Sequence, residues 1–206
     1  GGFRHDEQSL RVADRLENEG EGLNLTYEVR RGILCHSGSE RSETLEGRAV
    51  RIADKIAYLS ADIDDALRGG VIYPLDIPAE VGQGLGVTHS QRINTLVTDI
   101  IEASRGKEDI LQSPERKAAM ALLREFMFDS VYFNPAKGEE GKAQEMIRQL
   151  FTHYMSHLDE LPQEFLDIRE TEGRERAVCD YIAGMTDAYA VERYQELFIP
   201  KAWTVM

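Results

Sequence analysis

Apolar side chains along this chain return every three to four residues, and nowhere do they alternate strictly with polar ones for more than a few positions. That spacing predicts helices. A short one is expected over 7–18, where Leu10, Val12, Ala13 and Leu16 precede the turn-like "EGEG". Thr26 is a candidate N-cap for a second helix carrying Tyr27, Val29 and Ile33, followed by the Gly/Ser-rich loop "SGSERSETLEG". A sustained helical period from Glu46 to about Leu67 closes at "RGG". "VIYPLDIP" and "VGQGLGV", rich in proline and glycine, read as a linker. Further helices are expected from Ser90, from the N-cap pair Ser113-Pro114 to about Tyr132, from Lys142 to His157, and briefly after Pro162. One last long helix is expected over "GRERAVCDYIAGMTDAYAVERYQELF", stopped by Pro200. The fold class this predicts is all-α, with no internal repeat.

The helix around "DKIAYLSADIDD" carries unusual charge. Projected at about 100° per residue, Ile52, Ile56, Leu59, Ile63 and Leu67 share one arc, the predicted buried face. Arg51, Asp54, Lys55, Tyr58, Asp62 and Asp65 gather in a second arc, and Asp54, Tyr58 and Asp62 stack along one line at i, i+4 and i+8. Asp64 falls on the apolar side and needs a hydrogen-bond partner there. A solvated face is the ordinary reading of so much charge. Such faces favour Glu and Lys, however, whereas this one repeats aspartate, a poor residue in helix interiors. A short, rigid carboxylate suits metal ligation or contact with a ribose hydroxyl.

Composition narrows the function classes. A formal net charge of -13 over 206 residues argues against generic binding to nucleic acid, whose phosphates demand Lys and Arg, while leaving room for a local basic pocket. No apolar run reaches the roughly 18 residues of a membrane span, so no membrane partner is expected. Cys35 and Cys179 lie far apart without ligand spacing, which predicts neither a disulfide framework nor a zinc site and fits a cytoplasmic location. The chain opens without methionine, and a processed chain or a piece of something longer is expected.

Five blocks in order, "GGFRHDEQSLRV", "GEGLNLTYEVRRGIL", "TLEGRAVRIADKIAYLSADIDDALRGG", "LREFMFDSVY" and "DYIAGMTDAYA", resemble the bacterial HD-domain deoxynucleoside triphosphate triphosphohydrolases, the dGTPase-like proteins. The resemblance implies an HD-domain-like helical bundle that hydrolyses a dNTP, with dGTP expected, to deoxynucleoside and intact triphosphate. It implies a divalent metal, Mg2+ or Mn2+, and a homo-oligomer. Residues 1–70 would be the C-terminal part of the HD catalytic domain, and 71–206 a helical region packed on it in one continuous unit. Carried over by position, Asp54 matches a metal ligand, Lys55 a triphosphate contact, and Tyr58 and Asp62 the deoxyribose site. His5 matches a histidine near the phosphates suited to protonating the leaving oxygen, while Arg124 and Tyr132 match a phosphate-binding arginine and a tyrosine against the sugar. The family's other metal ligands, a His and a His-Asp pair, belong upstream of "GGFRH", so the chain alone is expected to be inactive. Ala61 stands where many relatives have histidine.

Competing readings are a non-catalytic nucleotide-binding or oligomer-assembly module, and an HD phosphohydrolase acting on nucleoside monophosphates. Among other candidates, His36 reads as a surface histidine and His89 as part of a helix start. His153 and His157 have metal-compatible i, i+4 spacing without a third ligand nearby. "GQGLG" follows no strand and is not a dinucleotide loop, and Tyr181, Met185, Ala188 and Tyr189 read first as core packing.

Overall fold

A computed structural model describes residues 2–134 and 138–201, and among them every regular element is helical. The helices are α1 (His5–Arg11), α2 (Tyr27–Leu34), α3 (Leu45–Arg68), α4 (Ala79–Leu85), α5 (His89–Ser104), α6 (Pro114–Met127), α7 (Glu140–Ser156), α8 (Gln163–Glu172), α9 (Arg174–Ala183) and α10 (Asp187–Phe198). None of the described helices is long and apolar enough to cross a membrane. The chain divides into two compact units, one of residues 1–13 and 24–137, the other of residues 14–23 and 138–206.

The first unit is organised by α3. Thr44 caps it, its hydroxyl accepting from the Gly47 amide, and Gly69 closes it. Its predicted apolar arc is the buried one: Ile56, Leu59 and Ile63 sit in a core with Leu96 of α5 and Leu123 and Met127 of α6, with Ile52 and Leu67 packed at the margin. Burying side chains of this size contributes roughly 1.5–3 kcal/mol each before entropy is subtracted. Ser113 caps α6 as expected, its hydroxyl accepting from the Arg116 amide. The helix then widens into one π-type turn, Phe128–Tyr132. Thr88, rather than Ser90, starts α5, through a capping box with Gln91.

Two further sequence expectations, both about where helices run, fail. The glycine-rich stretch expected to be a linker contains α4, because Val81 and Leu85, four residues apart, are buried in the core. Its glycines serve contact rather than looseness: a Cβ on Gly84 would stand 2.8 Å from the Cβ of Ala119 on α6. The second failure is the long final helix, which is two. Gly184 caps α9, and Thr186 starts α10 by accepting from the Tyr189 amide.

The second unit packs Leu150 and Tyr154 of α7 against Ala177, Val178 and Tyr181 of α9, Ile168 of α8 and Ala190 of α10. Tyr154 is fully buried, its hydroxyl accepting from Arg193 Nε at 3.2 Å and its ring meeting Tyr181 edge-on at 5.0 Å. Tyr181 is thus core as expected, whereas Ala188 and Tyr189 are exposed.

Candidate functional site

The polar arc of α3 lies open beside its buried stripe. Asp54, Tyr58 and Asp62 are each half-buried, as their shared line on the helix requires. Asp64, the acid on the apolar side, has the partner it needs. Arg92 Nη2, on a side chain buried almost completely, donates to Asp64 Oδ1 at 2.6 Å, and His89 Nδ1 lies 3.0 Å from Oδ2.

Arg51, on the same arc, is a tie rather than a ligand group. Its guanidinium donates to the backbone carbonyls of Cys35 at 2.8 Å, Ser37 at 3.0 Å and Glu40 at 2.8 Å, and to that of Gly38 as well. This fastens the 35–40 loop to α3. Gly38 has φ +69°, and a Cβ there would lie 3.1 Å from Asp6 Oδ2, so the loop also fits closely over α1. Asp6 is itself buried and paired with Arg4 at 2.8 Å, and that hydrogen bond holds its carboxyl below the usual range.

The loop so held presents His36 to His5. His36 Nδ1 lies 2.6 Å from the Ile33 carbonyl oxygen, and His36 Nε2 lies 3.0 Å from His5 Nε2, with the rings edge-on and centroids 5.0 Å apart. A carbonyl only accepts, so His36 Nδ1 carries a hydrogen; in the neutral ring Nε2 is then an acceptor, and His5 Nε2–H donates to it.

Further along α3, the Tyr132 hydroxyl donates to Asp62 Oδ2 across a separation of 70 residues. Burial and the Asp62 carboxylate both push the Tyr132 phenol upward, so it remains a neutral donor. Tyr132 is braced by Phe128, whose ring meets it edge-on at 5.0 Å, and the Arg124 guanidinium sits over the Phe128 ring, 5.0 Å from its centroid. Lys55 faces a cationic group. Partial burial lowers its pKa, and Arg51, Arg124 and Lys117 push it further down, against a smaller pull from Asp54. Among the described residues, the Lys55, Lys117 and Arg124 side chains make no ion pair with a carboxylate. Unneutralised positive charge gathered on a chain of net charge -13 is a site for an anion.

Asp54 likewise makes no hydrogen bond or ion pair with a described residue, which leaves it available as a ligand. One carboxylate is not a metal centre, however, and among the described residues no three His, Cys, Asp or Glu side chains are arranged to hold a metal. The His153–His157 pair is used structurally. The rings stack at 4.3 Å, His153 Nε2 is 2.9 Å from Glu160, and His157 Nδ1 is 3.0 Å from the His153 carbonyl.

Of the seven residues singled out from sequence, Lys55 and Arg124 come within electrostatic reach of each other, and Asp62 and Tyr132 share a hydrogen bond. His5 instead meets His36. The sequence reads His36 as a surface histidine, whereas the structure makes it half-buried, and it singles out neither Lys117 nor Phe128. Lys117 was findable, because it precedes Arg124 by seven residues and so shares its helix face. His36 was not, since its importance lies in a contact 31 residues away.

Comparison with known proteins bears on this arrangement. Residues 110–196 match the family model described as a phosphohydrolase-associated domain. The chain is 50% identical over 204 residues to a deoxyguanosinetriphosphate triphosphohydrolase-like protein of Caldanaerobacter subterraneus subsp. tengcongensis, covering 98% of this chain and 60% of that protein. A protein of the same name from Clostridium perfringens is 42% identical over 211 residues, covering 98% and 62%, and one from Bordetella pertussis is 31% identical over 252, covering 96% and 65%. The chain therefore spans about three fifths of the length of such relatives. Over the region they share, it belongs to the family of bacterial deoxyguanosinetriphosphate triphosphohydrolase-like proteins.

Proposed function

We propose that, within the full-length protein, this chain provides the substrate-binding face of an enzyme that hydrolyses a deoxynucleoside triphosphate, dGTP foremost, to deoxynucleoside and triphosphate. The observation that carries this reading is the cationic group of Lys55, Lys117 and Arg124, which makes no ion pair with a carboxylate among the described residues and adjoins a Tyr/Asp surface. Several cations in mutual repulsion suit a polyphosphate better than a single phosphate, because each added anionic oxygen relieves the repulsion. Asp62 keeps Oδ1 for a sugar hydroxyl while Tyr132 occupies Oδ2, and Tyr58 and Tyr132 offer flat faces on which a deoxyribose rests. His5 is the group suited to giving a proton to the departing oxygen. Asp54 is offered to Mg2+ or Mn2+, hard ions that prefer carboxylate oxygen, with the remaining ligands coming from outside these 206 residues. The names of the relatives support dGTP as substrate.

The test is product analysis on the full-length protein with dGTP and Mn2+ or Mg2+. Inorganic triphosphate is the expected product, lost in Asp54→Ala while helical circular dichroism is unchanged. Orthophosphate as the product, or no product from any dNTP, rejects the reading.

A further inference from the structure

We infer that His36 is a positioning residue for His5: it accepts the His5 Nε2–H, so that His5 keeps Nδ1 as the nitrogen that takes up a proton from solvent and passes it to the departing oxygen of the bound substrate. The inference deepens the proposed function and rests on it for the working role of His5. The geometry is a relay of fixed parts. Arg51 anchors the 35–40 loop through four backbone carbonyls, and the Ile33 carbonyl, 2.6 Å from His36 Nδ1, selects the Nδ1–H form of His36. That leaves His36 Nε2 as a lone-pair acceptor 3.0 Å from His5 Nε2. His36 is half-buried and its direction is set by backbone, whereas His5 is exposed at the first residue of α1. An exposed imidazole otherwise samples several rotamers and both tautomers.

The arrangement has the logic of an orienting group behind a catalytic histidine, where an acceptor on one ring nitrogen fixes which nitrogen meets the substrate. A second histidine does this without bringing a formal negative charge beside a phosphate group, as a carboxylate in the same place would. Among the described residues the His36 ring hydrogen-bonds only to His5 and the Ile33 carbonyl, so its effect on the reaction passes through His5.

Long-range 15N–1H correlation of the imidazoles in the labelled 206-residue chain reads the tautomers directly. The wild-type chain is expected to show His36 as Nδ1–H and His5 as Nε2–H. In His36→Ala the His5 signals should move to a mixture of tautomers, and in His36→Gln, whose side-chain carbonyl can accept, they should return toward Nε2–H. In the full-length protein, His36→Ala should lower kcat for dGTP by about 10- to 100-fold with KM changed by no more than about twofold, and His36→Gln should recover part of the loss. A wild-type His36 in the Nε2–H form, or a His5 tautomer indifferent to His36→Ala, overturns the inference. An unchanged kcat in His36→Ala does so as well. If the wild-type protein releases no triphosphate, the proposed function falls, and the tautomer measurement still decides whether His36 orients His5.

Discussion

The pairing of Asp64 with Arg92 shows how one residue can be read from sequence as a problem and from structure as its solution. The helical projection puts Asp64 on the apolar side of α3, where an isolated carboxylate would be costly. Arg92 is 1% exposed, holds Asp64 at 2.6 Å, and gives Nη1 to the Val87 carbonyl at 3.2 Å. Removing the acid strands a buried cation. Asp64→Ala is therefore expected to destabilise the fold by roughly 3–5 kcal/mol, read as a lower urea midpoint. Asp109 gives a milder, pH-dependent case. Its hydrogen bond with Arg41, with a further one from Arg48, holds its carboxyl below the ordinary range. A folded pKa below the unfolded one means stability present above about pH 4 and lost as pH falls through the folded value. Wild type and Asp109→Asn should therefore differ in urea midpoint at pH 7 and converge in acid. The role of Asp64 as a residue needing a partner was legible; the identity of Arg92 was not, because periodicity within one helix carries no information about the next.

At the scale of elements, what could be read was whatever local rules decide. The cap at Ser113 and the buried stripe of α3 follow from side chains acting on their own turn or their own face. What could not be read were elements decided by neighbours. The "VGQGLGV" stretch has the composition of a loop, yet the core seat for Val81 and Leu85 outweighs the glycine penalty of about 1 kcal/mol each and makes it α4. Gly84 is a steric requirement of that packing. Gly84→Ala places a methyl 2.8 Å from Ala119 Cβ and is expected to cost about 1–3 kcal/mol despite the better helix propensity of alanine. The double variant with Ala119→Gly should recover much of the loss in thermal denaturation, and a purely additive double variant would show that the two positions do not meet. The break between α9 and α10 was also visible in principle, since "GMTDAY" holds a C-terminal glycine and an N-cap threonine in sequence, and the apolar period running through it concealed both.

For the molecule as a whole, charge is the property that separates the site from its surroundings. A net charge of -13 repels polyanions at long range, so binding at the exposed Lys55, Lys117 and Arg124 relies on short-range contact rather than on steering. Inorganic tripolyphosphate should bind the 206-residue chain measurably at low ionic strength and weaken steeply with salt. The triple variant Lys55→Gln, Lys117→Gln, Arg124→Gln should abolish this in calorimetry, while Lys142→Gln, whose ammonium is paired with Glu139 at 2.8 Å, should leave it unchanged. Equal binding by all variants would place the anion elsewhere.

The loop carried by Arg51 has one more consequence, for mutational tolerance. Every bond that ties the 35–40 segment to α3 ends on a main-chain oxygen, and each residue type supplies that oxygen equally. Ser37 and Ser39 can therefore drift without loosening the segment, and a library randomised at those two positions should retain most of its folded members. Position 51 has no such latitude. A lysine offers one nitrogen where the guanidinium reaches four carbonyls with two, so Arg51→Lys should release the loop and, with it, the placement of His36. The side chain that fixes this corner of the molecule is thus one outside the loop, and within the loop Ser37 and Ser39 are the positions free to change.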